Sequence, residues 1–446
     1  MSANLDRLEK LAEAVVARHQ APGLAIAARR GEERIEAAAG VSSTQAGQTL
    51  SLDDRLPMSC LMKPLVALTC LHLAERGELD LDADLAVLLP ELSPDGAPSG
   101  VTPRHLLAHT AGYVEPEEPN ARWAYDWARF VAFFPRRRQA FAPGSVWSYT
   151  HTGYAVLARL AEQAAGRPIR DLLGELLLDP LGIRLGEPGA RAGEDNRLMA
   201  LHVRSPRSGR FEPMRPPREA GFLRFSISDY TISTRDLLAL GRFLASGSPG
   251  IDAGIEAARL RMLAPVVEIA VQAGRDEVEH MPTAFGLGLG SYSGLHGVNG
   301  SYVGSTCALR FDAATGATAA VTLNAWLPQA RDLAMRKLEG FLRPRSADRA
   351  PSPVPRLDDL APFEGVYKGL MLGSASLEIR RDGLAFQCVV ARLGAPDLQA
   401  RLCVGAEGEV VVDEASPGFA ISLETTPQGA PVARVGASAY ARIPAA

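Results

Sequence analysis

The chain has 446 residues, enough for a main domain and a second, smaller one. Its 47% hydrophobic and 22% charged content is that of an ordinary globular protein. A net charge of −4 gives no reason to expect nucleic acid or an anionic membrane as partner.

Residues 3–18 read as an amphipathic helix, with Leu5, Leu8, Leu11, Ala12 and Val15 on one stripe. The segment lacks the apolar core of a signal peptide, and no apolar run reaches bilayer length. The five cysteines are odd in number and lack metal-type spacing. They are expected to be thiols in a reducing cytoplasm. Two strands follow at about 23–29 and 34–40, joined by Gly31-Glu32-Glu33. A helix is predicted from about Cys60 to Arg76, ending at Gly77. The region 80–250 reads as mostly helical, with a helix start near Thr231–Leu237. Strands return at 285–292, 305–311 and 317–324, and a helix spans about 328–342. Residues 344–356 are a Pro-rich linker. Beyond it, 357–446 holds short strands near 377–379, 384–390, 409–412, 420–423 and 432–435, the first two separated by Asp382-Gly383. The domains expected are thus 1–343 and 357–446.

The segment Met58-Ser59-Cys60-Leu61-Met62-Lys63 places a thiol and an amine three residues apart at a helix start. Such residues share one helix face. The partial positive charge of a helix N-terminus favours the thiolate, which is the reactive form of cysteine. Only four of the 47 basic residues are Lys, so an ammonium at this place stands out. A small buried Cys at the start of an apolar helix is the plainer alternative. Ser59, four residues from Lys63, is a second candidate for the same face.

Two further segments join this one. Thr102-Pro103-Arg104-His105-Leu106-Leu107-Ala108-His109-Thr110-Ala111-Gly112-Tyr113 resembles the "T-x-x-x-LL-x-H-T-S-G" segment of serine β-lactamase-like hydrolases. Pro143-Gly144-Ser145-Val146-Trp147-Ser148-Tyr149-Thr150-His151-Thr152-Gly153-Tyr154 resembles their "P-G-x-x-W-x-Y-S-N-x-G-Y" segment. Over roughly residues 10–343 the chain resembles the penicillin-binding-protein, class C β-lactamase and esterase superfamily. Its first motif is Ser-x-x-Lys, here Cys60-x-x-Lys63, with Pro64 and Leu65 aligning Cys60 rather than Ser59 to the nucleophile. The resemblance implies an α/β (α+β) fold, one sheet flanked by helices with an inserted helical region. It also implies a small C-terminal all-β, barrel-like domain that covers a surface or shapes the pocket mouth.

The resemblance also assigns roles. Tyr149 takes the place of the family's general base. His151 replaces an Asn that bonds the substrate and the Lys, and an imidazole there titrates near neutrality and can activate a thiol. The third motif, usually Lys-x-Gly or His-x-Gly, reads Val298-Asn299-Gly300-Ser301, so its cation is lost. That loss argues against β-lactams and peptidoglycan stems as substrates. His296 would share a strand face with Val298. The implied oxyanion hole is the N–H of Cys60 with that of Ser301. Asn299, Gly300, His296, Trp123 and Trp127 are candidates for substrate contact, with Tyr125 and Phe130 beside the tryptophans; the aromatic residues suit packing equally well.

Other features are weaker. Gly286-x-Gly288-x-Gly290 lacks the setting of a dinucleotide fingerprint, and His105 and His109 lack a third ligand for zinc. No cofactor or metal is expected. Ser205–Pro217 reads as a loop or lid. The function expected is acyl transfer through a thioester at Cys60, from a small-molecule donor, carrier-bound or thioester, to a small-molecule amine or other acceptor in specialised metabolism. A Cys-nucleophile esterase or amidase and an inactive binding protein are the alternatives.

Overall fold

A computed structural model describes residues 2–93, 99–113, 127–134, 139–186, 197–214, 230–269, 273–274, 281–343, 360–368, 374–382, 385–392, 398–404, 410–412, 420–435 and 438–442. The predicted linker, Trp123 and Tyr125 lie outside them. The chain divides into two compact units: residues 1–79, 158–264 and 288–348, and residues 80–157, 265–287 and 349–446.

In the first unit, α1 (Ser2–His19) precedes the hairpin β1 (Gly23–Arg30) and β2 (Glu33–Gly40). The chain returns hundreds of residues later with β3 (Gly290–Tyr292), β4 (Leu295–Tyr302), β5 (Ser305–Phe311) and β6 (Thr318–Leu323). All neighbours are antiparallel, in the order β2-β1-β6-β5-β4-β3. In β1 the apolar run Leu24–Ala28 is fully buried, as expected of a strand covered on both faces.

One face is covered by α1 and α5 (Pro328–Leu342); Leu8, Ala12 and Val15 meet Ala334, Met335, Leu338 and Leu342 over Leu24, Ile26, Val321 and Leu323. The other face carries α3 (Thr234–Ser246), whose Ser233 caps its N-terminus through the Asp236 N–H. Gly241 permits the close packing of α3, because a Cβ there would lie 2.5 Å from Leu309 and Thr318 side-chain carbons. The motif helix α2 (Met62–Glu75) is buried from Met62 to Leu73, so it is apolar all round rather than striped. It packs against α4 (Ala253–Met262), with Arg261 bonded to Glu75 at 2.5 Å. Gly77 has φ +72°, the left-handed stop expected from the sequence.

His202 ties the sheet's lower end together. Its Nε2 accepts from the Thr44 N–H at 3.1 Å and its Nδ1 lies 2.9 Å from the Asn324 carbonyl, an assignment that makes Nδ1 the protonated nitrogen. Burial pushes its pKa below the usual value, as it does for His72, His105 and His296. The unfolded chain therefore binds protons below about pH 6.5 that the folded one refuses. Stability is full above that pH and falls as the pH drops. The melting temperature should decline between pH 7.5 and 5.5, and less so in His202→Gln. An equal decline in both proteins would remove His202 from this account.

In the second unit, the strands Gly365–Lys368, Ser374–Asp382, Ala385–Arg392, Leu398–Val404, Val410–Val412, Ala420–Thr425, Pro431–Val435 and Ser438–Arg442 form one antiparallel sheet with Ala273–Gly274. Its end strands, Val410–Val412 and Ala273–Gly274, lie close together but do not pair among the described residues, so the described strands close no barrel. Its core holds Leu360, Phe363, Tyr367, Leu377, Ile379, Phe386, Leu402, Ile421 and Leu423. The residues 80–157 of this unit include the short helices Pro103–Leu107 and Trp127–Phe133. No described helix is long and apolar enough to cross a membrane.

Candidate functional site

Cys60 sits in a single 3-10 turn, Ser59–Leu61, that leads into α2. The helix thus begins two residues later than the sequence suggests. Lys63, three residues on, lies in the first turn of α2. Cys60 is 8% exposed and Lys63 2%. Ser59, just before the nucleophile position, has φ +49°, a left-handed conformation that a non-glycine residue adopts only when its surroundings enforce it.

The enforcing contact is visible. Ser59 Oγ donates to the Ser301 carbonyl at 2.5 Å and lies 3.7 Å from Cys60 Sγ. In an extended strand a residue's N–H and C=O turn towards the same neighbour. A Ser301 carbonyl aimed at Ser59 therefore turns the Ser301 N–H to the edge that faces the Cys60 turn. That is the direction an oxyanion donor requires. Gly300 makes the approach possible: a Cβ there would stand 2.5 Å from Cys307 Sγ and 3.4 Å from Leu61 Cγ and the Met58 carbonyl. Ser59→Ala should keep measurable turnover and lose about 1 kcal/mol of stability, because it removes the bond to the half-buried Ser301 carbonyl. Chemical denaturation and steady-state rates check this; complete loss of turnover in a folded variant would make Ser59 the nucleophile.

Behind β4 lie two buried arginines that sequence reading did not single out. Arg310 Nη2 donates to Asn299 Oδ1 at 2.7 Å, Nη1 to the Val298 carbonyl at 3.3 Å, and the guanidinium stands 3.3 Å from the Tyr292 ring centroid. Arg331 pairs with Asp332 at 2.9 Å and donates to Thr306 Oγ1 at 3.1 Å. A charged residue amid the apolar run Ser305–Phe311 was the available signal for Arg310. Asn299 is thereby tied to the strand behind it. His296 pairs with Phe311, its ring 5.7 Å away, roughly 16 Å along the strand from Ser301. The structure brings Gly300 and Ser301 against the turn Ser59–Leu61 that bears Cys60, and His296 stands apart.

The second unit holds the other half of the motif set. His109 has φ +56°; its carbonyl accepts from the Ser148 N–H at 2.8 Å and its Nδ1 from the Thr150 N–H at 3.2 Å. Its ring packs 4.4 Å from Tyr149 and 5.0 Å from Tyr154 and Phe285. Tyr149 and His151 are neighbours, ring centroids 5.3 Å apart and nearly perpendicular. His105 completes a capping box with Thr102, and burial holds its pKa down. Trp127 stacks on the buried Phe130 at 5.1 Å, a packing contact. All five cysteines are described and no disulfide joins them; burial pushes the Cys70, Cys307 and Cys388 thiols up to about 12.

A sequence model of the β-lactamase family matches residues 8–340. The chain is 36% identical to esterase EstB of Burkholderia gladioli over 178 residues, covering 36% of this chain and 45% of the esterase, less than half of its length. It is 27% identical to penicillin-binding protein 4 of Amycolatopsis lactamdurans over 377 residues, covering 80% of this chain and 95% of that protein. Among solved structures, SurE superposes with a TM-score of 0.75 at 25% identity, covering 99% of both chains, and was also solved with D-Leu. The resemblance of the three motifs is thus matched across three quarters of the chain and in its fold, and the chain belongs to the β-lactamase family.

Proposed function

We propose that this protein is an acyltransferase that carries its acyl group as a thioester on Cys60 and hands it to a small-molecule amine or related acceptor. The observation that carries the proposal is the Ser59–Ser301 bond, which turns an N–H of β4 toward the turn bearing Cys60. Cys60 sulfur attacks the donor carbonyl, the S–C bond forms, and the leaving group departs with a proton. The acceptor amine then attacks the thioester, its bond to carbon forms, and the S–C bond breaks to return the thiolate. Lys63 is assigned as proton acceptor or stabilising cation for the thiolate, and Tyr149 and His151 as further acid–base groups by their place in the motif. A thioester favours amine and thiol acceptors over water, which is why a Cys in place of Ser points to transfer. The donor is taken to be a cytosolic or carrier-bound ester or thioester.

Incubation with D- and L-aminoacyl thioesters, followed by intact-protein mass, should show one acyl adduct that maps to Cys60 and discharges faster with added amine than in water. An adduct on another residue would overturn the proposal. The 36% identity to an esterase favours a second reading, a Cys-nucleophile hydrolase; discharge at equal rates with and without amine would select it.

The strand position that carries a cation in related enzymes is Val298, which cannot make a charge-assisted bond to a substrate carboxylate. A fluorescent penicillin should therefore give no stoichiometric label. Rapid, saturable labelling of Cys60 would restore a penicillin-binding role.

A further inference from the structure

One peptide unit just ahead of Tyr149 is pinned from both sides. The Ser148 N–H donates to the His109 carbonyl at 2.8 Å, and the Thr150 N–H to His109 Nδ1 at 3.2 Å. A trans peptide is planar and its C=O points opposite to its N–H. The Trp147 carbonyl therefore faces away from His109, and there it accepts from Arg434 Nη1. Arg434 lies on the strand Pro431–Val435 of the C-terminal sheet, is 1% exposed, and pairs through Nη2 with Glu424 on the adjacent strand. Its guanidinium also stands 5.2 Å from the Trp147 ring centroid. Around this contact Val432 and Ala439 of the sheet pack on Phe141 and Val146.

We propose that Arg434 is a positioning residue for Tyr149 and His151, so that the C-terminal sheet takes part in the reaction by fixing the second-motif segment. The proposal rests on the acid–base roles assigned above to those two residues. With both ends of the 147–148 peptide held, that unit cannot rotate, and the direction in which the chain delivers Tyr149 two residues later is set. A planar guanidinium serves a carbonyl, a carboxylate and an indole face at once; an ammonium serves them less well. Displacing a reacting group by about 1 Å is enough to lose roughly 10²-fold in rate.

The test uses the full chain. Arg434→Met should lower kcat by about 30- to 100-fold with KM changed by less than about threefold. It should also remove the limb of the kcat–pH profile that Tyr149→Phe or His151→Asn removes, while iodoacetamide still alkylates Cys60 at the wild-type rate. Arg434→Lys should recover part of the loss, and Glu424→Gln should lie between the two. A folded Arg434→Met with a lower melting temperature but unchanged kcat and pH profile makes the residue structural and overturns the proposal. If Arg434→Met does not fold, Arg434→Lys and Glu424→Gln decide by the same readouts. Unchanged kinetics in both Tyr149→Phe and His151→Asn would instead overturn the acid–base assignment itself, whatever Arg434 does.

Discussion

Cys60→Ala is expected to abolish turnover, with a loss on the order of 10⁵-fold or more, the scale seen when a covalent nucleophile is deleted. Cys60→Ser should retain weak activity shifted toward hydrolysis, because in the proposed scheme Lys63 and Tyr149 remain to assist a hydroxyl and an oxygen ester discriminates less against water. Three of the other four thiols are held out of this role. Cys70, Cys307 and Cys388 are at most 1% exposed and their thiols are pushed up to about 12, so almost none of each is thiolate at neutral pH. Rates and product ratios for the two variants, with limiting iodoacetamide mapped by mass, check this. A Cys60→Ala enzyme with the wild-type rate would end the acyl-enzyme scheme.

Gly300→Ala should also cost activity, for a steric reason. The new methyl would meet Cys307 Sγ at 2.5 Å, closer than real Cβ contacts come. The strand must move off the Cys60 turn, and the Ser301 N–H moves with it. Losing one oxyanion donor typically lowers kcat by about 10²–10³-fold. Cys307→Ala removes the obstructing sulfur, so Gly300→Ala with Cys307→Ala should recover most of the rate. A folded Gly300→Ala enzyme of normal activity, or a double variant no better than the single one, would count against this geometry.

These two expectations differ in how far the sequence anticipates them. Cys60, Lys63 and Tyr149 are visible as motif residues, since a short pattern of reactive side chains is local. Helix α1, the β1–β2 hairpin and α5 are visible from apolar spacing and turn chemistry, to within a residue or two. What escapes is whatever needs a partner far along the chain. The Ser59–Ser301 contact joins residues 242 positions apart. Cys307 beneath Gly300 is set by strand register, and the guanidinium groups of Arg310, Arg331 and Arg434 look like surface charge until the fold buries them. The strands Gly365–Lys368, Leu398–Val404 and Ser438–Arg442 escape for a related reason: they carry Arg, Lys or small residues, and pairing rather than propensity makes them strands. Helix α4 falls outside the helical region read from the sequence, although Asp252 caps it in the usual way.

The register of the first unit's sheet also bears on how the protein comes into being. Leu24 of β1 lies opposite Leu323 of β6. At translation rates of about 5–20 residues per second, roughly 300 residues separate these partners by some 15–60 s. Throughout that interval the β1–β2 hairpin has no third strand, and an isolated hairpin is marginal in water. The buried run Leu24–Ala28 is then an unpaired, apolar edge on a nascent chain, while the Cys60 turn waits for Ser301 to be made. Completing the sheet therefore waits for Thr318–Leu323 to be made, and until then the turn that bears Cys60 has no strand edge to rest against.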